Sequence, residues 1–194
     1  MAAFYHLALD TGARKAELCG IPWQDVDIQR GQIPIVRQLI KPGAPPQLGP
    51  PKNSKPRIIT LMPKTVELLR HHKAQQAQLK LANRATYQDF GLVFAKDWWG
   101  VRTHGNTLGH PLQSNAIAQG EFKRFIAQAG IKPIKFHGLR HTCATLLLQA
   151  GVPVHVVQER LGYKHTEVTL GIYAHVLPVM QQDAASKLAA LLQA

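Results

Sequence analysis

The sequence predicts an α+β protein that is mostly α-helical and carries a small three-stranded antiparallel sheet. Three short runs between residues 25 and 61 alternate apolar and polar side chains and are separated by turn residues. From Lys64 onward apolar residues recur at helical spacing in one segment after another, most of them closed by glycine or proline. Apolar residues make up 45% of the 194 residues, enough for a packed core in one good-sized domain or two small ones.

The elements follow in order. Residues 2–9, AAFYHLAL, read as the end of a helix with no cap before it, and the sequence is read as a piece of a longer chain. Thr11-Gly12 breaks that helix, ARKAELCGI forms a short second one, and Pro22-Trp23 stops it. Asp25–Ile28 and Gln32–Leu39 alternate like a hairpin about Arg30-Gly31. Residues 41–51, KPGAPPQLGPP, form a loop, because so many prolines fit neither helix nor inner strand. Arg57–Leu61 is the third strand. A helix runs from about Lys64 to Leu81 on the stripe Val66, Leu68, Leu69, His72, Leu79, and Leu92-Val93-Phe94 is a short buried segment. Residues 97–112 form a loop, Ser114–Ala129 an amphipathic helix ended by Gly130, and Leu139–Gln149 an apolar helix stopped by Gly151. Pro153 opens a helix that ends at Gly162, Thr166–His175 forms another, and Pro178 opens the last, through Leu192.

Charge narrows the function. Lys and Arg number 23 against 11 Asp and Glu, a formal charge of +12. No acid interrupts Ile28–Val66, which holds Arg30, Arg37, Lys41, Lys52, Lys55, Arg57 and Lys64. None interrupts Phe122–Gln158, which holds Lys123, Arg124, Lys132, Lys135 and Arg140. A folded protein with two such stretches presents a cationic surface to a polyanion, nucleic acid first among them. No apolar run is long enough for a membrane span, and MAAFYHLALD lacks the basic start of a secretory signal. Cys19 and Cys143, far apart in apolar contexts, suit a reducing cytoplasm better than a disulfide framework.

Several residues are equipped for phosphate chemistry. His137 and Arg140, three apart at the start of an apolar helix, share one face near a helix N-terminus. The guanidinium offers a fork to two oxygens, and the imidazole a donor or proton carrier. A zinc site on His137 and His141 is disfavoured by Gly138 where a glutamate is wanted and by Arg140 between the histidines. Asp25 and Asp27 have no third carboxylate beside them and are read as structural or solvated. Arg14 lies three residues before Glu17, either as a simple pair or as a guanidinium aimed by that carboxylate.

Four motifs in this order, TGARKAELCGIPWQDVDI, PKNSKPRIITL, HGLRHTCATLLLQAG and LGYKHTEVTLGIYAHV, resemble the catalytic domain of the tyrosine recombinases, or phage integrases, and span essentially the whole chain. The resemblance implies residue roles. Arg14 matches the first catalytic arginine, Glu17 its orienting partner, Lys52 the hairpin lysine, His137 and Arg140 the HxxR pair, and Tyr173 the nucleophile. The position after LG is His or Trp in the family and Tyr163 here; Tyr163 fills that role, or His165 two residues on. Lys55, which lies close enough to compete with Lys52, is assigned with Arg57 and His165 to DNA contact.

The resemblance further implies one catalytic domain over residues 1–194, without the N-terminal core-binding domain of the family, and hence weak, salt-dependent DNA binding with little sequence selectivity. Residues 178–194 form a C-terminal helix whose Val179, Leu188, Leu191 and Leu192 pack either on their own core or on a neighbouring protomer. The implied activity is site-specific DNA recombination through a 3′-phosphotyrosyl intermediate, with no metal and no cofactor. The implied partners are double-stranded DNA and, on it, three further copies in a homotetramer, with a monomer or weak oligomer away from DNA, but no membrane. The setting is cytoplasmic and DNA-associated, in a bacterium, phage or mobile element. Two alternatives stand beside it: a relaxing enzyme like the type IB topoisomerases, and a catalytically weak or inactive DNA-binding module of the same fold.

Overall fold

The computed structural model describes residues 1–51, 55–97, 107–113, 117–163, 185–186 and 188–192. Helix α1 (Ala2–Thr11) lies at the centre, with Phe4 and Leu7 fully enclosed and Ala3, Tyr5 and Ala8 buried beside them. It packs on α3 (Pro63–Ala82) and on α5 (Gly138–Gln149). This largely apolar decapeptide forms a helix here because tertiary burial, not amphipathic patterning, holds it. It ends where Gly12 turns left-handed, with φ +60°, and its N–H caps the Ala8 carbonyl. Edge-to-face packing of Phe4 on Phe94, with centroids 5.0 Å apart, and of Phe122 on Phe136 at 5.3 Å builds the aromatic centre.

The short helix α2 (Lys15–Cys19) follows at once. Next comes a 3₁₀ turn, Trp23–Asp25, and the expected first hairpin strand, Asp25–Ile28, does not form. The Asp27 carboxylate explains this departure: it accepts the N–H groups of Gln29 (3.0 Å) and Arg30 (2.9 Å), which folds the chain into a side-chain turn with a single bridge, Asp27 to Gln32. The expected three-stranded sheet is instead two separate antiparallel pairs: β1 (Gln32–Ile35) with β4 (Arg57–Thr60), and β2 (Gln38–Lys41) with β3 (Gln47–Gly49). β3 comes from the segment expected to be loop. Its three residues lie between Pro46 and Pro50, so all have an N–H to offer, and as an edge strand it needs only one partner. Across the first pair Ile33 faces Ile59 and Ile35 faces Arg57, and these four side chains share the buried face.

α3 starts on a proline, as its fixed φ favours, and buries Thr65, Val66, Leu69 and Gln76 at helical spacing. Two polar side chains of α3 fasten the segment around Val93. His72 Nε2 bonds the Val93 carbonyl at 2.7 Å, and Gln76 accepts from Trp23 Nε1 at 2.6 Å while donating to the Leu92 carbonyl at 3.2 Å. A π-helical turn, Ile117–Glu121, leads into α4 (Phe122–Gln128), where one continuous helix was expected. α5 and α6 (Val154–Leu161) enclose a second cluster of Cys143, Ala144, Leu148, Val157 and Leu161. The expected helix Thr166–His175 lies outside the described residues. Of the expected C-terminal helix, residues 188–192 are helical and leave Leu188, Leu191 and Leu192 exposed. No helix among the described residues is long and apolar enough to cross a membrane.

Phe4 is fully buried and its ring packs against Tyr5, Phe94 and Phe136, so Phe4→Ala should lower the unfolding free energy by about 3–5 kcal/mol. Urea denaturation reads this directly, as a fall in midpoint with an unchanged slope.

Candidate active site

Arg14 stands at the N-terminus of α2, where the Glu17 carboxylate fixes it twice. Its backbone N–H donates to Oε2 at 2.8 Å, and Nη1 lies 3.5 Å from Oε1. Glu17 is wholly enclosed, and Arg57 reaches it from the β4 strand with both arms: Nη2 donates to Oε2 at 2.9 Å and Nη1 to Oε1 at 3.4 Å. The Glu17 carboxylate thus sits under two guanidiniums. One of them, Arg14, keeps 28% of its side chain exposed and faces outward; the other, Arg57, keeps 2%.

Arg140, on the first turn of α5, is 2% exposed and is anchored by main-chain oxygens. Nη1 donates to the Gly12 carbonyl and Nη2 to the Leu161 carbonyl, both at 2.7 Å. Its remaining nitrogen, Nε, donates to the Tyr163 hydroxyl at 3.4 Å, and Cζ lies 4.4 Å from the centre of the Tyr163 ring. The two carbonyls close the ends of α1 and α6, where helix oxygens lack partners and a cation is favoured. The Tyr163 ring face adds a cation–π contact.

His137 is the residue before α5, and its ring meets that of His141 edge to face with centroids 4.9 Å apart. Partial desolvation, then the fields of His141, Arg140, Arg14 and Lys15, hold its pKa below the ordinary imidazole value. Desolvation, then Arg140, likewise pull Arg14 down, with Arg57 adding to this and Glu17 and Tyr163 opposing it. The bond from Arg140 to the Gly12 carbonyl, two residues before Arg14, brings these positive groups into one neighbourhood, although Arg14 and Arg140 are far apart in sequence. Beside them lies a cavity of about 340 Å³ lined by Lys55, Arg57, His155, Gln158, Glu159, Gly162 and Tyr163.

Of the residues singled out from sequence, the fold brings together Arg14, Glu17, Arg57, His137, Arg140 and Tyr163, with Lys55 at the edge. Lys52, His165 and Tyr173 lie outside the described residues. One assignment changes. Arg57, expected to contact DNA, is an internal residue whose three nitrogens bond Glu17 and the Arg160 carbonyl, the latter at 2.7 Å. The alternation of RIITL carried the signal: a strand that turns Ile59 inward turns Arg57 inward as well. Sequence reasoning also passed over Asp10 and Arg160. Their ion pair of 2.7 Å ties the end of α1 to α6, and Asp10 accepts in addition from Met62 N–H and Thr65 Oγ1. Asp25 pairs with Arg37 at 3.2 Å. Among the described residues no three His, Cys, Asp or Glu side chains are grouped to hold a metal ion.

The arrangement sets the partly exposed Arg14 guanidinium beside His137, with the Arg140 guanidinium buried behind them and the Glu17 carboxylate already engaged. The model of the phage integrase family matches residues 1–179. A tyrosine recombinase XerC-like protein of Caldanaerobacter subterraneus subsp. tengcongensis is 30% identical over 97% of this chain and 49% of its own length. The integrase of Salmonella phage P22 is 28% identical over 88% of this chain and 38% of its own. The chain thus spans about half the length, or less, of these curated relatives. Among solved structures, the Tn1549 transposon integrase in complex with circular intermediate DNA shares the fold, with a TM-score of 0.71 at 23% identity over 96% of this chain and 59% of that one. XerH site-specific recombinase bound to palindromic difH substrate, a post-cleavage complex, gives a TM-score of 0.62 at 26% identity over 95% of this chain and 44% of that one.

Because the His137 ring binds its proton less tightly in the folded protein than in the unfolded chain, acid favours unfolding. The stability this group contributes is complete above about pH 6.5, the unfolded value, and is lost as the pH falls toward the folded one. Thermal denaturation between about pH 7.5 and about pH 5.5 should show Tm falling on acidification, and His137→Gln should flatten that fall.

Proposed function

This chain belongs to the phage integrase family, and from that premise we propose that it is the catalytic part of a site-specific DNA recombinase that cuts and rejoins strands through a tyrosine. The observation that carries the reading is the convergence of Arg14, His137 and the buried Arg140 about the Gly12 turn, with Glu17 and two helix-end carbonyls holding the guanidiniums from behind. Such a cluster is preorganised for the negative charge that develops on the non-bridging oxygens of a phosphodiester under attack. Arg14 and Arg140 stabilise that charge, and Tyr163 adds a hydroxyl and a ring face beside Arg140.

The Tyr173 phenol attacks the scissile phosphorus. A bond forms from its oxygen to phosphorus while the bond from phosphorus to the 5′ oxygen breaks, leaving a 3′-phosphotyrosyl link. The phenolic proton passes to His137, whose depressed pKa keeps it neutral and able to accept. The departing 5′ oxygen takes a proton from Lys52. The covalent link preserves the energy of the phosphodiester, so a 5′-hydroxyl from another strand can reverse the step without an external energy source. On DNA the reading has four copies of the chain act together, and the exposed Leu188, Leu191 and Leu192 suit a contact with a neighbouring copy.

A duplex nicked next to the cleavage point, offered to the full-length protein on its cognate site, should trap a denaturant-resistant protein–DNA adduct whose yield a chelator leaves unchanged. Tyr173→Phe should abolish it, and Arg140→Ala should slow it by about 100–1000-fold. An intact wild-type protein that binds the site and forms no adduct would overturn the proposal.

A further inference from the structure

Arg57 is a buried cation that the chemistry above does not use. It projects inward from β4 beside Ile59, and only 2% of its side chain is exposed. Its fork closes on both oxygens of Glu17, at 2.9 and 3.4 Å, and its Nε donates at 2.7 Å to the carbonyl of Arg160. The backbone at Gly162 approaches so closely that a Cβ there would lie 2.8 Å from Nη1, at a φ of +71° that side chains rarely adopt. The Lys55 N–H, two residues before that strand begins, reaches the Gly162 carbonyl at 3.4 Å. One guanidinium therefore joins three pieces: the turn that presents Arg14, the strand that follows the lysine-bearing segment, and the end of α6, whose Leu161 carbonyl anchors Arg140 and whose next residues lead to Tyr163.

We propose that Arg57 is a positioning residue: it sets the distance between the Arg14 and Arg140 guanidiniums by tying Glu17 to the last turn of α6. Only arginine can do this, because the planar fork and the separate Nε donor serve two acceptors in different directions, whereas an ammonium is a single point. The inference rests on the functional reading for what Arg14 and Arg140 do, but the tie itself is independent of DNA, and the two are tested apart.

The test uses the full-length protein and Arg57→Lys, which keeps a charge beside Glu17 and so avoids an uncompensated buried carboxylate. Without DNA, amide hydrogen exchange should quicken at Arg14, Lys55 and Gly162 and stay unchanged at Val93, whose N–H is bonded to Ile21 in the core. Unchanged exchange at the first three overturns the tie whether or not the protein cuts DNA. With DNA, cleavage of the nicked phosphodiester duplex should slow by about 100-fold, the scale of an ångström-sized misplacement, with little change in affinity. A methylphosphonate at the scissile position is uncharged and leans less on the guanidiniums, so the loss on it should be much smaller. An equal loss on both substrates overturns the positioning role, because general destabilisation does not distinguish them. If Arg57→Lys does not fold, the pair Glu17→Gln with Arg57→Gln replaces the ion pair by two amides of similar shape, and the same exchange pattern at Lys55 and Gly162 decides.

Discussion

One carboxylate organises the charged part of this molecule. Glu17 is completely enclosed, and an ionised carboxylate there costs several kcal/mol unless cations and hydrogen bonds compensate it. Arg14 compensates from the outer side through backbone and side chain, and Arg57 from the inner side through its fork. Two guanidiniums next to one negative group leave an excess of positive charge, and Arg140 and Lys15 add to it. Of the three guanidiniums only Arg14 keeps appreciable exposure, so it is the one through which this surplus meets the surface. A cationic site is thus a consequence of how one acid is buried.

Helix ends supply the rest of the framework. The last turns of α1 and α6 expose carbonyl oxygens that their own helices cannot satisfy, and three arginines fill them. Arg140 takes Gly12 and Leu161, Arg57 takes Arg160, and Arg160 takes the Asp10 carbonyl together with its side chain. Each arrangement offsets the desolvation of a cation with the partial negative charge at a helix C-terminus. Helix α1, almost wholly apolar, locks these ends in place through Phe4 and Leu7.

The helices were legible in the sequence because their stops are chemical: Gly12, Gly151 and Gly162 all adopt positive φ, and Pro63 and Pro153 stand where helices begin. The sheet was less legible. Periodicity marks a strand but not its partner, and the choice of β1 for β4 and of β2 for β3 is made by distant packing. Asp27 also acts through a short side-chain turn that alternation does not reveal. At the site, residue types with a chemical signature (Arg14, His137, Arg140) were found by spacing, and the fold gathers them. Arg57 was misread because a charged residue in a basic stretch suggests solvent, whereas its inward position follows from the parity of its neighbours. Asp10 and Arg160 were missed because their pairing spans 150 residues and leaves no local pattern.

Arg140 hangs from oxygens that every amino acid possesses. Replacing the side chain at 161 cannot delete its acceptor, so ordinary drift there leaves the guanidinium tethered. Gain or loss of a single residue between Gly151 and Leu161 would rotate the helix by about 100° and carry that oxygen away. Lineages descended from such a protein should therefore tolerate substitution along α6 far better than a change in its length.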